Sequence, residues 1–219
     1  MRLAAVWLLC VCPATASAGE VIDCVAVTVG RSVITRSAIE EQARIAAFLN
    51  REPAELSPAV LSRTTERLID VVLIRREMEI SRYAGADPGE VEKMLARLKT
   101  GQAAVKAGDF ARELENYKID EAALRRYLAL QTQTLRFVEL RFRPGSSVTD
   151  GEVELFYRDH FVPEFVRANP AGKMPPELEE VRDQIEASLL EQRVDQAMEQ
   201  WLKEGRSQIR VAYFKDTCP

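Results

Sequence analysis

Histidine occurs once, at position 160, and cysteine only four times, at positions 10, 12, 24 and 218. A His–Cys metal cluster needs three or four such ligands, and with Cys10 and Cys12 in an expected leader and Cys24 and Cys218 expected to pair, the one histidine is too little for it; a hydrolytic triad, which needs a base beside its nucleophile, is left little material as well. The chain contains no Gly-rich phosphate loop ending in Gly-Lys-Ser/Thr and no His-Glu-x-x-His pattern. Ser146-Ser147 has no base nearby in sequence, and the neighbouring acids Glu40-Glu41 and Glu179-Glu180 point to different sectors of a helix, which is how solvated faces are built. His160 reads as a surface residue at a helix end. The expectation is a protein that is not an enzyme and carries no cofactor or metal.

Long apolar runs are also scarce. Only Leu3–Cys12 stands out, and it falls well short of the roughly 20 residues that a membrane span requires. Met1-Arg2 before it and Pro13–Ala18 after it complete the pattern of a secretory signal peptide, with cleavage expected after Ala18 and export to follow. Leu8-Leu9 and Cys10-Val11, preceding Cys10 and Cys12, lack the small residues that lipoprotein processing favours. Removing these 18 residues, Arg2 among them, from 219 residues with 30 basic and 34 acidic side chains leaves a net charge of −5. That balance argues against a nucleic-acid or anionic-membrane surface, each of which usually needs a basic face.

Strands are few as well. Val21–Val29, rich in β-branched residues, is the one convincing example; Gly30-Arg31 turns the chain and Ser32–Ile34 makes a short return. Such a strand needs a partner for its backbone groups, and the best candidate is Ile209–Phe214 at the far end. Helical periodicity fills the interval. Thr35 or Ser37 can cap the first helix, Ser37-x-x-Glu40 having capping-box spacing, and it ends near Asn50; Ser57-Pro58 opens a long helix to about Tyr83, closed by Gly85, whose stretch Leu68–Ile74 is apolar nearly all round. Asp87–Glu90 starts a short amphipathic helix, Thr100–Gly108 reads as a flexible connection, and Asp109 caps a further short helix. Another helix spans Asp120 to Phe142, with Leu124, Tyr127, Leu128, Leu135, Val138 and Leu140 on its apolar positions, and Pro144-Gly145 breaks it. Thr149-x-x-Glu152 is a second capping box, Pro163–Pro176 has the composition of a linker, and a last helix runs from Glu177 to about Gly205.

In order, these segments resemble the SurA-type periplasmic chaperones and related parvulin-class foldases. The residues that carry the likeness are Val21-Ile-Asp-x-Val-x-x-x-Val-Gly-x-x-Val-Ile-Thr35, Leu68-Ile-Asp70 with Glu77, Val148-Thr-Asp-x-Glu-Val153 with Tyr157, and Glu180–Ile185 through Trp201-Leu202 to Ile209-Arg-Val211. The resemblance implies a mainly α fold, a SurA N-terminal or peptide-binding-like helical domain with a small β clasp pairing the N- and C-terminal strands. It also implies an organisation: signal peptide 1–18, helical core 19–162, linker 163–176 where the relatives carry a parvulin isomerase domain, and a C-terminal helix and strand, 177–219, completing the core. The function that follows is an ATP-independent periplasmic holdase without prolyl isomerase activity, binding unfolded or extended polypeptide clients, outer-membrane proteins among them, with neither nucleic acid nor an integral membrane span. An adaptor holding one fixed partner in an envelope complex is the alternative.

Peptide binding needs apolar and aromatic surface left partly open. Candidates are Met94 and Leu98 on the third helix, Phe110 and Tyr117 beside the connection, and Phe156, Tyr157, Phe161 and Phe165 before the linker. For each of them the competing reading is a core position. After cleavage only Cys24 and Cys218 remain, near the two strands expected to pair, which favours a disulfide over two independent thiols in an oxidising compartment. Such a bridge closes a very long loop, worth about 4 to 5 kcal/mol in the chain-entropy account. Peptide mapping with and without reductant is expected to recover Cys24 and Cys218 in one cross-linked peptide pair; free thiols at both positions in oxidised protein would refute the bridge.

Overall fold

The computed structural model describes residues 23–83, 85, 87–101, 107–170 and 172–214. The expected signal peptide and Cys218 lie outside the described residues. The described chain is mainly helical, with one small antiparallel sheet.

That sheet is built on β1 (Val25–Val29), flanked by β2 (Ser32–Thr35) on one edge and β3 (Val211–Tyr213) on the other. The expected pairing of the two ends of the chain is observed: Val27 lies opposite Tyr213, Thr28 opposite Ala212 and Val29 opposite Val211. Gly30 takes a positive φ of 58° at the first loop position of the β1–β2 hairpin, where glycine suits a tight turn, and its N–H donates to Arg210 O at 2.9 Å. Cys24 is disulfide-bonded, and the other cysteines all lie outside the described residues.

Helix α1 (Arg36–Asn50) takes the first of its two candidate caps. Thr35 caps it, its hydroxyl accepting from Ala38 N, while the Ser37 hydroxyl donates to Asp23. Glu40 does not complete a box with Ser37, because its carboxylate is taken by Arg36 and Arg44 at 3.0 and 2.9 Å. Asp23 therefore places a carboxylate at the helix start, where the dipole favours it, also accepting from Ser37 N at 3.3 Å. These hydroxyl and amide donors, Ser37 first, lower its pKa from 3.8 to about 2.

Helix α2 (Pro58–Ile80) is capped by Ser57 with Pro58 in its first turn, as its sequence requires. It packs against α1, the sheet and two later helices, with Ile69, Leu73 and Ile74 buried. Gly85 does not close it. The chain leaves at Arg82, in the left-handed region at φ 52°, with Tyr83 N donating to Met78 O at 2.8 Å and Arg82 N to Glu79 O at 3.2 Å. This is a Schellman ending on an arginine. Arg51 after α1 (φ 59°) and Lys118 after α4 (φ 55°) do the same. In each case a cation sits where the carbonyl end of a helix welcomes positive charge, which offsets part of the conformational cost.

Helix α3 (Pro88–Gly101) continues through Thr100-Gly101, and α4 (Ala107–Asn116) starts at Ala107, so the expected connection shrinks to 102–106, outside the described residues, and Asp109 lies within α4. Helix α5 (Glu121–Phe142) is capped by Asp120 and buries Leu124, Leu128 and Val138. Leu135 and Leu140, expected on its apolar face, are 63% and 64% exposed.

The segment 150–168 is helical throughout: α6 (Asp150–Phe156), a wide π turn (Tyr157–Phe161) and α7 (Val162–Ala168). Pro163 and its neighbours thus continue a helix and do not begin the linker. A proline ring collides with the carbonyl four residues back in a regular helix, and the π turn, with Val162 N bonded to Tyr157 O, opens the backbone just ahead of it. Helix α8 (Leu178–Gln208) runs 31 residues, beyond Gly205, and delivers β3. It touches each of the satellite clusters in turn: Val181 and Ile185 with Val153, Val194 with Val138 and Phe142, then Trp201 and Leu202 with α2 and the sheet.

Replacing Arg82 by glycine removes the left-handed penalty and is expected to raise stability by about 1 kcal/mol in urea unfolding. An unchanged or lowered midpoint would contradict the assigned helix ending.

Candidate functional site

The pairing of β3 decides which backbone groups of the sheet face outward. Phe214 N donates to Ala26 O and Gly30 N to Arg210 O, both at 2.9 Å. Residues 210, 212 and 214 therefore turn their backbone groups toward β1, and the alternation of an antiparallel ladder leaves those of Val211 and Tyr213 on the outer side. Among the described residues no strand lies on that side, since β3 ends the order β2-β1-β3.

Beside this open edge lies a groove of about 610 Å³ between the sheet and the first turns of α1 and α2. Val27, Ile39, Pro58 and Leu61 make its apolar wall, and Tyr213 and Phe214, 48% and 39% exposed, flank its mouth. Its charged members are already engaged: Arg36 pairs with Glu40, and Glu66 accepts from the Tyr213 hydroxyl at 2.8 Å and from Arg206 Nη1 at 2.6 Å. The Thr65 hydroxyl is spent on Leu61 O at 2.7 Å. The result is an apolar slot with a satisfied polar rim beside strand backbone that pairs with no other described strand, an arrangement that suits an extended peptide adding as a further strand.

Arg206 holds this arrangement in place. It also reaches Asp70 Oδ1 with Nε at 2.8 Å and Glu66 O at 2.9 Å, so one guanidinium ties the end of α8 to the middle of α2. Its hydrogen bonds hold the Glu66 carboxyl below the usual glutamate range, ahead of an opposing effect of burial.

The eight residues singled out from sequence lie elsewhere, in two groups. Phe110 is buried and packs edge-on against Phe48, ring centres 6.0 Å apart; Tyr117 packs on the same ring at 5.5 Å and donates its hydroxyl to Glu52 O. Met94 and Leu98 are half-buried on that cluster, and the Thr132 hydroxyl points at the Met94 sulfur at 3.3 Å. The second group forms a ladder along the helix around the π turn, Tyr157 on Phe161 at 5.7 Å and Phe161 on Phe165 at 6.1 Å, with Phe156 stacked on the exposed ring of His160 at 5.2 Å. Tyr157 also donates to Pro176 O at 2.7 Å, pinning the connection to α8. None of the eight lines the groove. Sequence reasoning passed over Leu61, Tyr213 and Phe214, although two adjacent aromatics closing an edge strand were a visible signal. Among the described residues no group of three His, Cys, Asp or Glu side chains could hold a metal ion.

Because the Glu66 value is lowered on folding, its contribution is complete above the unfolded value near 4.5 and is lost as pH falls through the folded one. Arg206→Ala is expected to cost about 1 to 2 kcal/mol at pH 7 and to flatten the decline in stability as pH falls below the unfolded glutamate value. Urea titrations of both proteins across that range check it; an unchanged acid limb would refute the role of the pair. No protein-family model matches the chain, and no curated protein is significantly similar to it.

Proposed function

We propose that the protein is an ATP-independent periplasmic holdase of the SurA-type class, lacking an isomerase domain, that captures extended segments of unfolded exported proteins. The observation that carries this reading is the apolar groove lying beside the outward-facing backbone of Val211 and Tyr213. Strand addition supplies affinity through main-chain hydrogen bonds that every polypeptide can make, and the groove accepts apolar side chains without demanding one sequence. That combination fits a client set defined by being unfolded. Export is part of the proposal, resting on the Met1–Ala18 pattern, and the disulfide at Cys24 agrees with an oxidising compartment. Among the described residues no helix is long and apolar enough to cross a membrane.

The chemistry asked of the site is modest. A client strand contributes a few hydrogen bonds, each worth about 1 kcal/mol net, plus partial burial of side chains against Leu61, Ile39 and Val27. Weak, reversible, multipoint contact is the outcome, as a holdase requires.

Light scattering of an outer-membrane barrel protein diluted from urea is expected to fall when the protein is present in several-fold excess. Val211→Pro should weaken that effect, because it deletes an outward N–H while leaving the β1 hydrogen bonds intact. Absence of suppression by the wild-type protein would sink the proposal, and capture of one stoichiometric partner from a periplasmic extract would favour an adaptor instead.

A further inference from the structure

The opposite end of the sheet carries a different chemistry. A cavity of about 620 Å³ opens at the β1–β2 turn, where Arg31 from the turn, Arg75 and Arg76 from α2, and Arg210 from the α8–β3 junction all line it, against one acid, Glu79. No other described cavity has such an imbalance. The groove beside β3 has Arg36 and Glu66, the cavity between α1 and α2 has Arg63 and Arg67 with Glu52 and Glu55, and the one between α2 and α8 has Arg76 with Glu77 and Glu204.

Four arginines converge here in a chain whose net charge is −4. Ten other arginines are tied up in ion pairs, yet none of these four makes one among the described residues, and all four are exposed. Converging like charges repel, and here the apolar floor of Val29, Val72 and Leu73 lowers the local dielectric and focuses the field. Guanidinium groups are forks matched to phosphate or carboxylate oxygens, two hydrogen bonds at a time.

The size of the cavity separates those two. Taken as a sphere it is about 10 Å across. An extended peptide presenting three carboxylates on one side spans roughly five residues, or about 17 Å, and overruns it. Two phosphates, each carrying about −1.5 to −2, place the required charge in a far smaller volume. We propose that this arginine-lined cavity binds a compact group bearing at least two phosphates, either free in solution or as the headgroup of a phosphorylated lipid.

Calorimetric titration of the full chain at low salt with inorganic pyrophosphate, and co-sedimentation with phosphatidylcholine vesicles with and without a diphosphorylated glycolipid, distinguish the sources. Binding of pyrophosphate identifies a soluble ligand, and binding of the doped vesicles alone a lipid headgroup. In either arm the double variant R75Q/R76Q should lose at least about tenfold in affinity, since each charge-assisted contact contributes substantially. The R63Q/R67Q control, at the charge-balanced cavity, should bind as the wild type does. Both pairs lie on α2, and circular dichroism verifies that the helices persist. Failure of both probes to bind, retention of binding by R75Q/R76Q, or tighter binding of a hexaglutamate peptide than of pyrophosphate would overturn the proposal.

Discussion

Everything in this fold depends on β1 being paired on both edges. Its inner residues Val27 and Val29 are buried, and its backbone finds β2 a few residues later but β3 only after nearly the whole chain has passed. A sheet of three strands, one of them three residues long, has little independent stability. What fixes it is α8, about 46 Å long at 1.5 Å per residue, which must place Val211 opposite Val29 with no slack. Arg206 supplies the stop, gripping Glu66 and Asp70 two residues before the helix ends at Gln208. A slip of one residue would turn every β3 side chain to the wrong face.

Much of this architecture was legible because strand and cap signals are local and strong. Two β-branched runs at opposite ends had to pair because no other segment could satisfy them, and Ser57-Pro58, Asp87 and Asp120 marked helix starts by direct hydrogen bonding to nearby amides. The failures were failures of competition. Ser37 had the right spacing to Glu40, yet a carboxylate at Asp23, 14 residues away, bound its hydroxyl instead. Gly85 was the residue that should end α2, yet the chain turned three residues earlier on Arg82. Pro163 looked like a breaker, and a π turn absorbed it.

The candidate site was less legible than the fold, for a physical reason. Residues such as Phe110 and Tyr157 repeat at helical spacing, and that repetition is what packing against another helix also demands, so their pattern carries no information about exposure. Phe110 completes the Phe48 cluster, and Phe156, Tyr157 and Phe161 cover Val153 and Ile185. The open surface arises instead where regular packing stops, at the last residues of an edge strand and the first turns of α1 and α2. Only the topology says which edge has no neighbour among the described residues.

The two ends of the sheet then differ because charge is distributed differently along α2. At its middle Glu66 and Asp70 are neutralised by Arg206, so the adjoining groove presents apolar surface and backbone. One to two turns later Arg75 and Arg76 face a hairpin and a junction that each add a further arginine, with Glu79 alone opposing them. Both environments are framed by the same strand, β1, whose five residues span about 17 Å. Any change that loosens the grip of α8 on α2 therefore reaches both at once, through the loss of β3 and of Arg210 together, whereas substitutions on the exposed surface of α2 can alter one and leave the other intact.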